Sequence, residues 1–98
     1  LTKDAIRSFH VDKIFTGTDG YSREFGFTGE DLIRADTLSA MIASANHTYV
    51  LADSAKFRQT GSVYFLKLED VYQVITDSNI DLDEKDYLER QGIHITIA

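Results

Sequence analysis

Three stretches put groups with binding chemistry directly after short apolar runs. Thr18, Asp19 and Gly20 follow "KIFTG", Asp53, Ser54 and Lys56 follow "YVLA", and Asp77 and Ser78 follow "VIT". A lysine ammonium supplies a point charge for a phosphate, glycine-rich turns offer backbone N–H groups to the same anion, and carboxylates accept hydrogen bonds from polyol hydroxyls. The chemistry these groups would perform together is the holding of a phosphorylated sugar or sugar alcohol. The same residue types also form turns and cap helices, and a lysine is commonly a solvated surface group, so residue type alone leaves both readings open.

Other chemistries lack their residues. His10, His47 and His94 are far apart and there is no Cys, so metal-ligand spacing is missing and disulfide and thiol chemistry are excluded; no metal and no cofactor is expected. A Gly-x-Ser-x-Gly nucleophile elbow is missing as well. With 16 acidic against 10 basic residues and a net charge of -6, the chain would repel a phosphate backbone, so DNA binding by these residues themselves is not expected. No apolar run approaches the roughly 20 residues of a membrane span and no signal-like segment opens the chain, which points to a cytoplasmic protein without membrane contact.

The polar stretches need elements to position them. Ninety-eight residues, 43% apolar and free of Pro-rich or repeated tracts, suit one core. Residues 1–10 read as the end of a helix. Val11, Ile14 and Phe15 form a short strand running into a glycine-spaced loop over 16–28. Leu32, Ala35, Leu38, Met41, Ile42 and Ala45 recur at steps of three and four, which predicts a helix over about 29–45. Strands are predicted over 48–52, 63–66 and 71–76. A second helix follows, capped by Asp81 or Asp83 and ended by Gly92, with Tyr87 and Leu88 on its core side. Ile93, Ile95 and Ile97 alternate with His94 and Thr96 in a last strand. This order predicts an α/β fold with an open, mostly parallel sheet flanked by helices. In such sheets ligands bind beyond the carboxyl ends of the strands, where all three polar stretches fall.

The segments "DKIFTGTDGYSREFGFTGEDL", "MIASANHTYVLADSAKF" and "VITDSNI" resemble, in this order and spacing, the C-terminal sensor domain of DeoR-type bacterial transcriptional repressors. The resemblance covers nearly the whole chain, and "GFTGEDLIRAD" is similar to members that control galactitol or related hexitol use. It implies a ribose-5-phosphate isomerase-like fold and a noncatalytic domain that senses a phosphorylated sugar or sugar alcohol. The chain would then be the C-terminal portion of that domain over residues 1–98. Operator DNA would be bound, in a homo-oligomer, only through an N-terminal winged helix-turn-helix lying outside this sequence. Carried over by position, the ligand-binding set is Thr18, Asp19, Gly20, Asp53, Ser54, Lys56, Asp77 and Ser78.

The resemblance also supplies a rival, because the same fold family contains sugar-phosphate isomerases with similar Asp-Gly and Asp-x-Ser-Lys elements. An isomerase needs a carboxylate base beside the sugar carbon. Here Ala35 and Asp36 stand where the isomerase carries its Glu-Lys pair, leaving Glu24, Glu30 or Asp36 as nearby substitutes. Two departures from the repressor pattern are visible. Ala55 replaces a hydroxyl beside Lys56, and the family's helical Lys is lacking; Arg34 could take its role or be an ordinary exposed arginine.

Overall fold

The computed structural model describes Ala5 and residues 8–98, so the helix end expected over 1–10 falls largely outside the described residues. The described elements are β1 (Val11–Thr16), β2 (Gly20–Ser22), β3 (Gly26–Gly29), α1 (Leu32–Ala43), β4 (Ala45–Leu51), a 3-10 turn (Ser54–Arg58), β5 (Val63–Leu66), a second 3-10 turn (Leu68–Asp70), β6 (Gln73–Thr76), α2 (Leu82–Arg90) and β7 (His94–Ile97). β1, β4, β6 and β7 lie side by side in chain order as a four-stranded sheet in which every pair is parallel. This is the α/β architecture expected from the order of elements.

Two expectations are corrected. The stretch 16–28 is not all loop: β2 and β3 pair there and, with β5, form a separate three-stranded antiparallel sheet. Gly26 makes this possible. Its φ of +87° suits glycine, and a Cβ there would stand 2.1 Å from the Leu66 carbonyl oxygen. The first helix is also shorter than expected, because Gly29 ends β3 and Ala45 begins β4. Asp31 caps it, its carboxylate accepting from the backbone N–H groups of Ile33 at 2.9 Å and Arg34 at 3.2 Å. Leu32, placed on the apolar stripe by spacing, is exposed instead, and Ala35 and Ala40 are the buried residues.

The second helix follows its sequence signals closely. Asp81 caps it, Asp83 and Glu84 sit in the first turn and Arg90 in the last. Beyond the helix Gly92 adopts φ +87° and donates to Glu89, while Ile93 donates to Leu88, the paired bonds of a Schellman turn. That turn delivers Ile93 into the core beside Leu88.

Register assigns each strand residue to a face. Thr16, Val50, Val74 and Ile95 form one row across the parallel sheet, and Phe15, Tyr49, Gln73 and His94 form the neighbouring row on the opposite face. The core lies on the first face, where Val50 and Val74 meet Leu88, Ile93, Ala35 and the small sheet's Tyr21, Phe27 and Leu66. With strands in chain order and crossovers of one hand, the connections gather on that side. A clasp ties the small sheet to α2: the Arg23 guanidinium bonds the Glu84 carboxylate through two nitrogens, at 2.9 and 3.1 Å, and lies 4.3 Å from the Tyr87 ring centre. Burial, the largest single influence, acts to raise the Glu84 carboxyl, yet the Arg23 bond, the Tyr21 hydroxyl and the Arg23 charge together hold Glu84 below the ordinary range.

Candidate functional site

Parallel pairing puts the carboxyl ends of β1, β4 and β6 on one edge, so the three polar stretches leave the sheet side by side. A Cβ on Gly17 would stand 3.9 Å from the Leu51 carbonyl oxygen, which sets the first stretch against the second. The Ala52 N–H donates to the Ile75 carbonyl, which extends pairing to the point where the second and third stretches diverge.

Ser54 and Asp77 are joined by a hydrogen bond, and Asp53 precedes Ser54 on the same turn. The Ser54 backbone N–H donates to Asp77 Oδ2 at 2.8 Å and the Asn79 N–H to Oδ1 at 2.9 Å. Those two bonds, with the Ser54 hydroxyl, hold the Asp77 carboxyl below its ordinary value. Asp53 caps the 3-10 turn by accepting from the Ala55 N–H at 3.0 Å. The turn carries Lys56 outward, half-buried and without an ion pair among the described residues. Ser78 is exposed on the turn after β6. Beneath this cluster the Thr76 hydroxyl is buried without a hydrogen-bond partner among the described residues. An orphaned hydroxyl of that kind is uncommon in a folded protein.

The first stretch is built differently. The Thr18 hydroxyl lies 2.7 Å from the Gly20 carbonyl and 3.0 Å from that of Thr28, while the Asp19 N–H donates to the Thr28 carbonyl. Gly20 is a close crossing of backbones, since a Cβ there would fall 2.7 Å from the Gln59 carbonyl and 2.9 Å from the Gly61 nitrogen. Thr18 and Gly20 thus fold the turn that presents Asp19. The Asp19 carboxylate faces a cavity of about 170 Å³ lined also by Gly17, Glu30, Asp31 and Arg34. Of the three carboxylates considered as substitute bases, Glu30 lines this cavity, Glu24 borders a different depression beside Arg23 and Tyr64, and Asp36 is exposed on α1.

Sequence names Glu30 only as a substitute base and does not assign Asp31 to the site. Their place depends on the β2–β3 hairpin folding Asp19 back over Gly29, a pairing of three- and four-residue strands too short to leave a pattern. Arg58 was missed too; its charge acts on Asp77 from the end of the 3-10 turn.

A family model described as the DeoR C terminal sensor domain matches residues 1–78. The uncharacterized HTH-type transcriptional regulator FruR of Bacillus subtilis (strain 168) is 33% identical over 91 residues, covering 93% of this chain and 36% of that protein. YulB of the same organism, also named an uncharacterized HTH-type transcriptional regulator, is 27% identical over 96 residues, or 98% of this chain and 37% of that protein. The HTH-type transcriptional regulator GlpR of Haloferax volcanii is 29% identical over 86 residues, or 88% of this chain and 34% of that protein. The chain therefore spans little more than a third of the curated relatives it matches.

Proposed function

The chain belongs to the DeoR C-terminal sensor domain family, and from that premise we propose that residues 1–98 are the C-terminal portion of a noncatalytic effector-binding domain for a phosphorylated sugar or sugar alcohol. The observation that carries this reading is the bond from Ser54 to Asp77, which fixes the Lys56-bearing turn at the carboxyl end of neighbouring parallel strands and leaves the ammonium uncommitted. Lys56 takes the phosphate, Asp53 and Asp19 accept from sugar hydroxyls, and Ser54 and Ser78 offer hydroxyls to the same crevice. Asp77, Thr18 and Gly20 hold the turns in place. The carboxylates around Asp19 repel a second phosphate and suit the polyol end of the ligand.

In the full-length protein the domain acts on operator DNA through an N-terminal winged helix-turn-helix, as a homo-oligomer in the cytoplasm. A ligand that prefers one arrangement of the sensor shifts the DNA-competent population by its differential affinity. Among the described residues no helix is long and apolar enough to cross a membrane. Glu30 lines the acidic cavity with its carboxylate accepting from the Ser62 hydroxyl at 3.4 Å, and it stands among Asp19 and Asp31 rather than with the Lys56 turn, which favours binding over isomerisation.

The test is a thermal-shift panel of pentose, hexose and hexitol phosphates on the full-length protein. A ligand at a hundred times its Kd stabilises by about 2.7 kcal/mol, readily seen as a raised Tm. No shift from any phosphate ester, beside a shift from an unphosphorylated ligand, overturns the assignment. Interconversion of aldose and ketose phosphates would replace it with the isomerase.

A further inference from the structure

The three strand-end stretches have to be held in register before they can act on one ligand, and Tyr21 reaches all three. It follows Thr18, Asp19 and Gly20 directly in the chain. Its ring meets that of Phe57, one residue beyond Lys56, edge-on at 5.1 Å, and its backbone N–H donates to the Gln59 carbonyl at 2.7 Å. The Thr60 hydroxyl donates in turn to the Tyr21 carbonyl at 3.0 Å. Gly20 passes so close to the same Gln59 carbonyl that a Cβ there would stand 2.7 Å from it. The third stretch leads from Asp77 and Ser78 into α2, whose Glu84 is bonded by Arg23, two residues past Tyr21.

The Tyr21 phenol is out of place in a residue that only packs. The residue is 4% exposed, and its hydroxyl is buried with no partner at hydrogen-bond geometry among the described residues. Such an orphan costs stability that a phenylalanine of the same shape would not. The hydroxyl nevertheless lies close to the Glu84 carboxylate: burial above all, and then Glu84, hold the phenol well above its ordinary value. Glu84 spends its bonds on Arg23 and, with two oxygens, keeps lone pairs for a further donor. Donor and acceptor stand side by side without being aligned.

We propose that Tyr21 is a positioning residue of the effector site, its hydroxyl closing onto Glu84 when a ligand draws the Asp19 and Lys56 stretches together. The inference rests on the reading that those stretches bind a phosphorylated sugar or sugar alcohol. Without ligand the hydroxyl is idle. In the bound arrangement it adds a charge-assisted hydrogen bond, and that differential contact favours the bound arrangement and ties α2 to ligand occupancy.

Tyr21→Phe keeps the ring against Phe27 and Phe57 and removes only the hydroxyl. The full-length protein and this variant are compared in two ways: by Tm without ligand, and by calorimetric titration with the sugar or hexitol phosphate that gives the unaltered protein its largest thermal shift. The ligand-free variant should melt at the same temperature or higher, while its Kd rises at least about tenfold, the measure of one hydrogen bond to a charged group. Beside Glu84→Ala, where the acceptor is gone, Tyr21→Phe should change Kd by less than about twofold. A Kd for Tyr21→Phe alone within about twofold of the unaltered protein overturns the inference, because the hydroxyl is then a passive core group. A tenfold loss that persists beside Glu84→Ala overturns it as well, and so does a lowered Tm of the ligand-free variant, which marks a merely structural role. If no phosphate ester binds the unaltered protein, the effector reading falls and this inference with it; binding that the variant leaves untouched overturns the inference alone.

Discussion

The two faces of the parallel sheet are drawn from the same four strands and differ by one residue of register, yet within these residues they have different fates. Val50 and Val74 are fully buried under helices and the small sheet, while Phe15 and Leu51, each one position away along its strand or its neighbour's, stand about half exposed. Both sides carry apolar side chains. The near-continuous run "TYVLA" in β4 carries that signal, since a one-sided strand would alternate with polar residues. A strand's sequence therefore records which faces are apolar and leaves open what meets them.

The contrast can be broken most forcefully from the dry side. Leu88, fully buried against Val50, Val74 and Ile93, should cost about 2–5 kcal/mol when changed to Ala, measured by urea denaturation of the 98-residue chain. Phe15→Ala removes a ring that is already half in water and loses mainly its stacking on Tyr49, about 1 kcal/mol in the same chain. Equal costs would mean that the faces are not distinct. Arg23→Ala, which opens the clasp over the dry face, should be weaker still, because the Arg23 end of the ion pair is half exposed and screened by water; its effect should shrink further in high salt.

A small effect belongs to the strand ends, present in full at neutral pH and lost in acid. Asp77 is held below its ordinary value by the Ser54 and Asn79 N–H groups. Its stabilisation is complete above the unfolded carboxyl's value and is lost as pH falls through the depressed folded value. Tm measured against pH should therefore fall more steeply in acid for the native chain than for Asp77→Asn. Parallel acid limbs would show that this carboxylate does not hold the Ser54 turn.

Much of this was legible in the residues. The succession of strands and helices, a cap at Asp81 or Asp83, the Gly92 stop and the alternation around Ile95 depend on neighbours a few positions away, and local chemistry specifies them. That Asp53, Ser54 and Asp77 converge followed from two strands ending in polar residues on one parallel edge. The β2–β3 hairpin was hidden because its strands are three and four residues long, bounded by glycines, and paired through a shifted register with the distant β5. The acidic cavity under Asp19 was hidden for the same reason. The outward turn of Leu32 and Ile33 was also illegible, since an apolar stripe on a helix does not state which part of it meets the core. Family membership was readable from the ordered motifs, by resemblance rather than by physics.

The central claim is that Lys56 is the cation of a phosphate site at the strand ends. Its most direct test is calorimetric titration of the full-length protein and its Lys56→Met variant with the sugar or hexitol phosphate that gives the largest thermal shift. Met keeps most of the stem and removes the charge. A charge-assisted contact of about 1.5–3 kcal/mol predicts roughly ten- to a hundredfold weaker binding in a protein that remains folded. An unchanged Kd would make Lys56 a solvated surface residue and place the phosphate elsewhere.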